Sequence, residues 1–210
     1  DLVRSRGLGD VYKRQEVKYI SYDEAKKLIV ALKKDLKSDY ISRYMILLAL
    51  YTGMRFAEIL GLTWDSIDLK NKTILIDKSL DYKYTHDFIP TKNKEARTIK
   101  TNDTVIALLN DLPKNDMLVF KKKDGKMPSN TAVNKSLLNA CKRANIKRIT
   151  FHALRHTHGS ILLYKGVSIL YISKRLGHAS TDITQQVYLH LIDELKEKED
   201  ALTNTILSQL

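Results

Sequence analysis

Hydrophobic residues along most of the chain recur at the three- and four-residue spacing of amphipathic helices. Ser21 and Glu24 have the spacing of a capping box, in which each side chain bonds the backbone amide of the other residue, so a first helix is predicted over residues 22–34. The same periodicity, with glycines at several of the breaks, predicts further helices over residues 41–51, 55–60, 103–112, 131–144, 152–165, 168–176 and 182–189.

Between residues 73 and 100 the hydrophobic period changes from that of a helix to the alternation of a strand. Three short runs, over residues 73–77, 87–90 and 96–100, are separated by polar turn residues and are predicted to be antiparallel strands. The predicted fold is therefore mainly α with a small three-stranded antiparallel β-sheet. At the end of the chain, an apolar stripe at near-helical spacing runs through an otherwise charged segment and consists of Leu191, Leu195, Leu202, Ile206 and Leu210.

The first fifteen residues have a different character from the rest. The chain starts without methionine, and residues 5–15 resemble an in-frame translation of a common sequencing-library adapter, so residues 1–15 are expected to be non-native. Residues 16–210 are long enough for one domain with a sizeable core.

The net charge favours a polyanionic partner. It is +12, and leaving out residues 1–15 removes four basic and two acidic residues and leaves +10. The longest apolar run, residues 45–51, is far shorter than the roughly 20 residues that cross a bilayer, so no membrane anchor is expected. The single cysteine, Cys141, has no partner for an internal disulfide, which indicates a reducing, cytoplasmic compartment.

Two clusters carry candidate chemistry. Arg55 and Glu58 lie three residues apart on one helix face, where the carboxylate can orient the guanidinium, although an ordinary surface ion pair has the same spacing. His152 and Arg155 lie one turn apart at a helix start, where free amides favour an anion such as phosphate. His152 and His156 could instead form a zinc pair, but no further ligand completes such a site, and no metal is expected. His156 and the nearby His158 are interpreted as ordinary helix residues.

A third cluster combines the Gly177-His178 turn with Tyr188 ten residues later. A single tyrosine is most often a half-buried aromatic residue. In the order arginine, lysine, His-x-x-Arg, Gly-His and tyrosine, however, residues 19–192 closely resemble the tyrosine recombinase family, which includes phage and transposon integrases. Each motif alone is unspecific, but their joint occurrence in this order is highly specific.

The resemblance implies a set of site residues. The catalytic residues that it implies are Arg55, Lys92, His152, Arg155, His178 and Tyr188, with Glu58 in support. Lys92 is preferred over Lys94 because it follows the second strand directly, where the family has its Thr-Lys pair. In this family the turn lies against DNA, so Lys94 and Arg97 are expected to bind DNA; a solvated basic turn is the alternative.

These residue types suit phosphoryl transfer. Two guanidiniums, Arg55 and Arg155, offer permanent charge and paired donors to the phosphate oxygens of the transition state. Tyr188 needs a proton acceptor to attack at neutral pH, for which His152 is suited, and Lys92 can protonate the departing 5′ oxygen. His178 is expected to donate a hydrogen bond to the phosphate. The family's product is a 3′-phosphotyrosine with a free 5′ hydroxyl, so neither ATP nor a cofactor is implied.

The resemblance also implies partners. The first is double-stranded DNA at a specific recombination site. The second is the protein itself, as a homotetramer that exchanges the C-terminal tail (residues 192–210), and a possible third is an accessory DNA-bending or excision factor. The resemblance further implies N-terminal DNA-binding domains that this chain lacks. The tail could alternatively fold back on its own domain. A topoisomerase with the same chemistry and a DNA-binding protein without catalysis are the alternative functions. Formation of a covalent protein–DNA adduct would distinguish an enzyme from the DNA-binding protein without catalysis.

Overall fold

The computed structural model describes residues 19–92, 95–122, 124–182, 184, 185, 188 and 200–209. The helices are α1 (Tyr22–Lys33), α2 (Ile41–Thr52), α3 (Phe56–Leu60), α4 (Asp103–Asn110), α5 (Asn130–Ala144), α6 (Phe151–Tyr164) and α7 (Ile169–Leu176). These seven confirm the predicted helices to within two residues at each end. The predicted helix over residues 182–189 lies partly outside the described residues, and residues 200–207 are also helical.

The helix ends follow local chemistry. The predicted capping box at α1 is present, because the Ser21 amide donates to Glu24 Oε2 (2.8 Å) and the Glu24 amide donates to Ser21 Oγ (3.2 Å). α7 ends at Gly177, whose φ of 66° lies in the left-handed region that glycine adopts without strain. Among the described residues, no helix combines the length and apolar character needed to cross a bilayer.

Four of the five strands that the structure describes form one long, interrupted hairpin, and the first strand pairs with its outer edge. The strands are β1 (Ile67–Asp68), β2 (Thr73–Ile76), β3 (Lys78–Leu80), β4 (Phe88–Pro90) and β5 (Arg97–Lys100). The small antiparallel sheet is confirmed with the order β1-β2-β5, but its third strand is β1, since β4 pairs with β3 in a separate ribbon. Ile76 pairs with Arg97 and Lys78 with Pro90, so six residues separate the paired positions on one side of the hairpin, whereas Asp77 alone separates them on the other.

α2 is the centre of the core. Every residue from Tyr44 to Leu50 is buried, because the sequence is apolar around the whole circumference of the helix. α1, α3, α4, α5 and α6 all contact it. Cys141 of α5 is buried in the same core.

Gly53 makes the sharp turn that separates α2 from α3. Its φ is 72°, and a Cβ at this position would lie 2.6 Å from Leu176 Cδ2 and 2.8 Å from His158 Cδ2. Only glycine therefore allows α6 and α7 to pack so closely over the end of α2. The turn places Arg55 at the start of α3, directly beside these two helices.

Candidate active site

Arg55 is held at the first residue before α3. Its backbone amide donates to Glu58 Oε2 and its NH1 to Glu58 Oε1, both at 2.8 Å. Its NH2 donates to the Gly177 carbonyl at 2.9 Å. The guanidinium is partly exposed to solvent, while both of its terminal nitrogens are held by hydrogen bonds.

Glu58 is the buried anion of this site. Its side chain is fully buried and accepts hydrogen bonds from both Arg55 and Arg97. Burial acts to raise the pKa of this carboxyl, but the hydrogen bonds and charge of Arg97, together with Arg55, lower the pKa to about 2. Glu58 is therefore ionised at neutral pH and accepts hydrogen bonds from Arg55.

The surroundings of Arg97 in the structure differ from the predicted ones. The sequence predicts a basic turn residue that faces DNA, whereas the structure directs this guanidinium inward and leaves its side chain 11 % exposed. Its NH1 and NH2 donate to the two oxygens of Glu58 at 3.0 and 2.8 Å, and its Nε donates to the Arg175 carbonyl at 3.0 Å. Lys94, the other predicted DNA contact, lies outside the described residues.

α6 carries His152 and Arg155 on its first turns, as predicted. Arg155 is buried, and it donates to the Gly53 carbonyl (2.8 Å) and to the Leu176 carbonyl. Burial and the nearby Arg55 lower the pKa of Arg155 to about 9, which keeps the guanidinium charged at neutral pH. His152 is exposed at the mouth of the site, and partial desolvation there, with the charges of Arg155, Arg55 and Lys92, lowers its pKa. His152 is consequently neutral at pH 7 and able to accept a proton.

The carbonyl end of α7, defined by the backbone oxygens of Arg175, Leu176 and Gly177, brings three arginines together. Arg175 O accepts from Arg97, Leu176 O from Arg155 and Gly177 O from Arg55. These carbonyls are left without helical partners at a helix C-terminus, where the helix dipole also favours positive charge. One helix end therefore orients both predicted catalytic arginines.

His178 follows this helix end directly and is half-buried. Its Nδ1 lies 2.7 Å from Thr184 Oγ1, which leaves Nε2 as the ring nitrogen without that contact. Burial, followed by the charges of Arg155 and Arg55, lowers the pKa of His178 to about 3, so the ring is neutral at pH 7. Thr184 was not among the predicted site residues, and a lone threonine in a polar segment gives no signal in the sequence.

Lys92 is exposed and lies two residues after the end of β4. Thr91, directly after β4, is buried and donates through Oγ1 to the Glu95 carbonyl at 2.8 Å. The charge of Lys92 is among those that lower the pKa of His152. Lys92 therefore lies on the same side of the molecule as His152.

Two grooves meet at Arg55. The larger, of about 630 Å³, includes His152 and Arg155 in its wall and extends along α5 past the exposed Lys135 and Arg148. The smaller, of about 200 Å³, is lined by Thr91, Glu95, Ala96, Arg97, Lys174, Gly177 and His178 as well as Arg55. An extended anion lying across both grooves would pass over Arg55.

Tyr188 is withdrawn from both grooves. It is fully buried, and its hydroxyl is a buried polar atom with no hydrogen-bond partner in the part of the chain that the structure describes. It packs against Gly159, one helical turn beyond Arg155, where a Cβ would overlap the hydroxyl oxygen. Burial raises the pKa of Tyr188 to about 12, although Arg155 acts to lower it. In this conformation the predicted nucleophile is protonated and shielded.

His156 and His158 both have partners within the fold. The rings of His152 and His156 pack edge to face at 4.7 Å, and no group of three or more metal-ligating side chains occurs in the described part of the chain. His158 has a specific structural role: its Nδ1 bonds the Leu50 carbonyl (2.9 Å), and its Nε2 accepts from Arg175 Nε (3.1 Å). Sequence reasoning missed this link between α2, α6 and α7 because it joins residues far apart in the chain.

The chain resembles known proteins over nearly its whole length. Residues 18–194 match a family model described as the Phage integrase family. A XerC-like tyrosine recombinase of Caldanaerobacter subterraneus is 29% identical over 86% of this chain and 52% of its own length, and the ICEBs1 integrase of Bacillus subtilis is 29% identical over 92% and 56%. The chain thus spans about half the length of these relatives.

Solved structures show the same fold. The integrase of transposon Tn1549, in complex with a circular intermediate DNA, has a TM-score of 0.71 at 18% identity, covering 84% of this chain and 62% of that one. The XerA recombinase has a TM-score of 0.66 at 23% identity, covering 86% and 63%.

Replacing Gly159 by alanine should dislodge Tyr188, because the added methyl group overlaps the tyrosine hydroxyl. Urea denaturation should show a loss of about 1–3 kcal/mol in the free energy of unfolding, as for other overpacked cores. Nitration mapped by mass spectrometry should find Tyr188 more reactive than in the wild type. Ser160→Ala, which adds no atoms to the adjacent position, serves as the control. Unchanged stability and unchanged nitration in Gly159→Ala would contradict the described packing of Tyr188.

Proposed function

This chain belongs to the phage integrase family of tyrosine recombinases, and on that premise we propose that it carries the active site of a site-specific DNA recombinase, which cleaves and rejoins strands through Tyr188. The observation that carries the proposal is the convergence of Arg55, Arg155 and His178 on the carbonyl end of α7, beside two open grooves. Such a cluster of fixed positive donors is suited to a phosphodiester.

The two arginines bind the scissile phosphate. Each has two guanidinium nitrogens fixed by protein acceptors and further N–H groups available for phosphate oxygens. Because these contacts hold the guanidiniums before DNA arrives, little reorganisation is needed as charge develops in the transition state. His178 adds a neutral donor: when Thr184 donates to Nδ1, the ring hydrogen is on Nε2 and can bond a nonbridging oxygen.

Cleavage requires Tyr188 to leave its packed position. Once exposed, its hydroxyl gives its proton to His152 and its oxygen attacks the phosphorus, forming a bond to the 3′ phosphate. The bond to the 5′ oxygen breaks, and Lys92 donates the proton that converts this oxygen to a hydroxyl. The phosphotyrosine keeps the energy of the broken bond, so a 5′ hydroxyl from another strand reverses the steps without ATP.

The partner is double-stranded DNA at a specific site. The larger groove is lined by His152 and Arg155 and also by Lys135 and Arg148. These last two side chains are suited to bind the phosphates that flank the cleaved one. The Tn1549 integrase, whose fold this chain shares, was solved in complex with DNA. Relaxation of supercoils by a topoisomerase is not favoured, since the relatives are recombinases and integrases.

The C-terminal tail is proposed to pack on a neighbouring protomer in a tetramer on DNA. Leu202, Ile206 and Leu207 on the helical residues 200–207 are 58%, 53% and 59% exposed in the single chain. If the tail folded back on its own domain, these side chains would be buried. Their exposure supports exchange between protomers over the alternative.

Tyr188→Phe should abolish the covalent adduct while leaving noncovalent DNA binding nearly intact, because the change removes one hydroxyl and no charge. The measurement is denaturing electrophoresis after incubation with a nicked duplex that carries the target site, alongside a gel-shift assay. If the adduct persists in the variant, the nucleophile is a residue other than Tyr188.

Lys92→Ala should slow strand cleavage by roughly 10²–10⁴-fold, the usual contribution of a general acid. A substrate with sulfur in place of the 5′ oxygen should largely restore the rate, because a thiolate leaves without a proton. Lys94→Ala, two positions further along the chain, is the matched control. If the sulfur substrate rescued the defect of Lys94→Ala instead, Lys94 would be the general acid.

Truncation after Leu191 should spare single-strand cleavage and impair pairing of two sites and strand exchange. Cleavage is scored on a nicked duplex and exchange on two labelled duplexes. Equal loss of both activities, together with a lower melting temperature of the monomer, would instead support a tail that folds back on its own domain.

A further inference from the structure

Arg97 is bound on three sides by groups of the site. Its NH1 and NH2 form a bidentate pair with Glu58, and its Nε donates to the Arg175 carbonyl. Its guanidinium also fills the space beside Gly177, where a Cβ would lie 2.8 Å from NH1. One side chain from β5 therefore contacts both the carboxylate that anchors Arg55 and the helix end that precedes His178.

Glu58 is shared between two arginines in a regular way. Each of its oxygens accepts one hydrogen bond from Arg55 and one from Arg97. A carboxylate bonded to Arg55 alone could rotate toward it and compete with DNA for its N–H groups. With Arg97 bound, the orientation of Glu58 is fixed from the opposite side, and that of Arg55 is fixed in turn.

The charges of these residues also indicate that Arg97 supports the site. Arg55 and Glu58 alone would form a neutral ion pair, with little attraction for a phosphate. Addition of Arg97 leaves the trio with a net positive charge beside the charged Arg155. Because Glu58 is fully buried, these interactions are screened by water less than those of a surface pair.

We propose that Arg97 is a positioning residue for strand cleavage, acting through Glu58 and the carbonyl end of α7, and that it is not a DNA contact. The inference rests on the proposed function and deepens it. Since the edge of Arg97 also lines the smaller groove, direct binding of phosphate is the alternative that the experiment must separate.

The experiment uses the full chain with Arg97→Gln, Arg97→Lys and a control, Lys100→Gln, which removes a charge from an exposed position on the same strand. Noncovalent affinity for the target duplex is measured over a range of salt concentrations, and cleavage is measured in single turnover at saturating protein. Arg97→Gln should bind within about threefold of Lys100→Gln and cleave about 10²-fold more slowly, the cost of a small misplacement of a catalytic group. Arg97→Lys keeps the charge but not the bidentate geometry and should recover only part of the rate.

The double variant Arg97→Gln/Glu58→Gln tests the route of the effect. If Arg97 acts through Glu58, the double variant should cleave no more slowly than the slower single variant. Multiplied defects would overturn the proposal, as would a reduced salt dependence and weaker binding in Arg97→Gln with normal cleavage at saturation.

Two further outcomes are distinguishable. If Arg97→Gln does not fold, Arg97→Lys carries the same comparison, and full activity in that variant would exclude a role for the bidentate geometry. If the wild type forms no adduct at Tyr188, the proposed function fails. The salt dependence of binding still decides in that case whether Arg97 touches DNA.

Discussion

The carbonyl end of α7 is the structural feature on which the rest of the site depends. Three successive backbone oxygens at this end each accept a hydrogen bond from a different arginine: Arg55 directly before α3, Arg155 of α6 and Arg97 of β5. Guanidiniums gathered at one place repel each other, and the cluster is stable because the helix end carries partial negative charge and Glu58 a full one. Gly53 and Gly177 make the packing possible, since both adopt positive φ and neither leaves room for a side chain. Under the proposed function, a bound phosphate would add a second anion to the same cluster, so the contacts that hold the arginines in place would also favour its binding.

The same packing separates Tyr188, the proposed nucleophile, from the groups proposed to activate it. The arginines and His178 line open grooves, whereas the Tyr188 hydroxyl lies against Gly159 with no hydrogen-bond partner among the described residues and with its pKa raised to about 12. A buried hydroxyl without a partner is costly, which lowers the free energy needed to release it. Under the proposed function, the phosphate site is therefore preorganised and attack requires a conformational step, so a chain in this state would bind DNA before it could cut.

Particular residues show how far the sequence leads. The capping box at Ser21, the apolar run of α2 and the glycines that end α2 and α7 are local signals, and the structure confirms the helices that they predict. The pairing of the strands was harder to predict from the sequence. Residues 87–90 have the alternation of a strand, but six residues separate β4 from β5 where a single residue separates β2 from β3, so β4 pairs with β3 and not with the central sheet. Register depends on which strands meet in space, and hydrophobic alternation alone does not specify it.

The sequence by itself determined the family, the helices and the residue types of the site, because helix periodicity and the ordered motifs are recorded within short stretches of chain. Only the tertiary structure decided which groups each of these residues contacts. Arg97 lies in a basic turn by sequence yet is directed inward to Glu58, 39 residues earlier in the chain, and His158 connects Leu50 to Arg175. The burial of Tyr188 is likewise a property of the folded chain. The physical reason is that hydrogen-bond direction, burial and pKa arise between elements brought together by packing, and no spacing within one element encodes them.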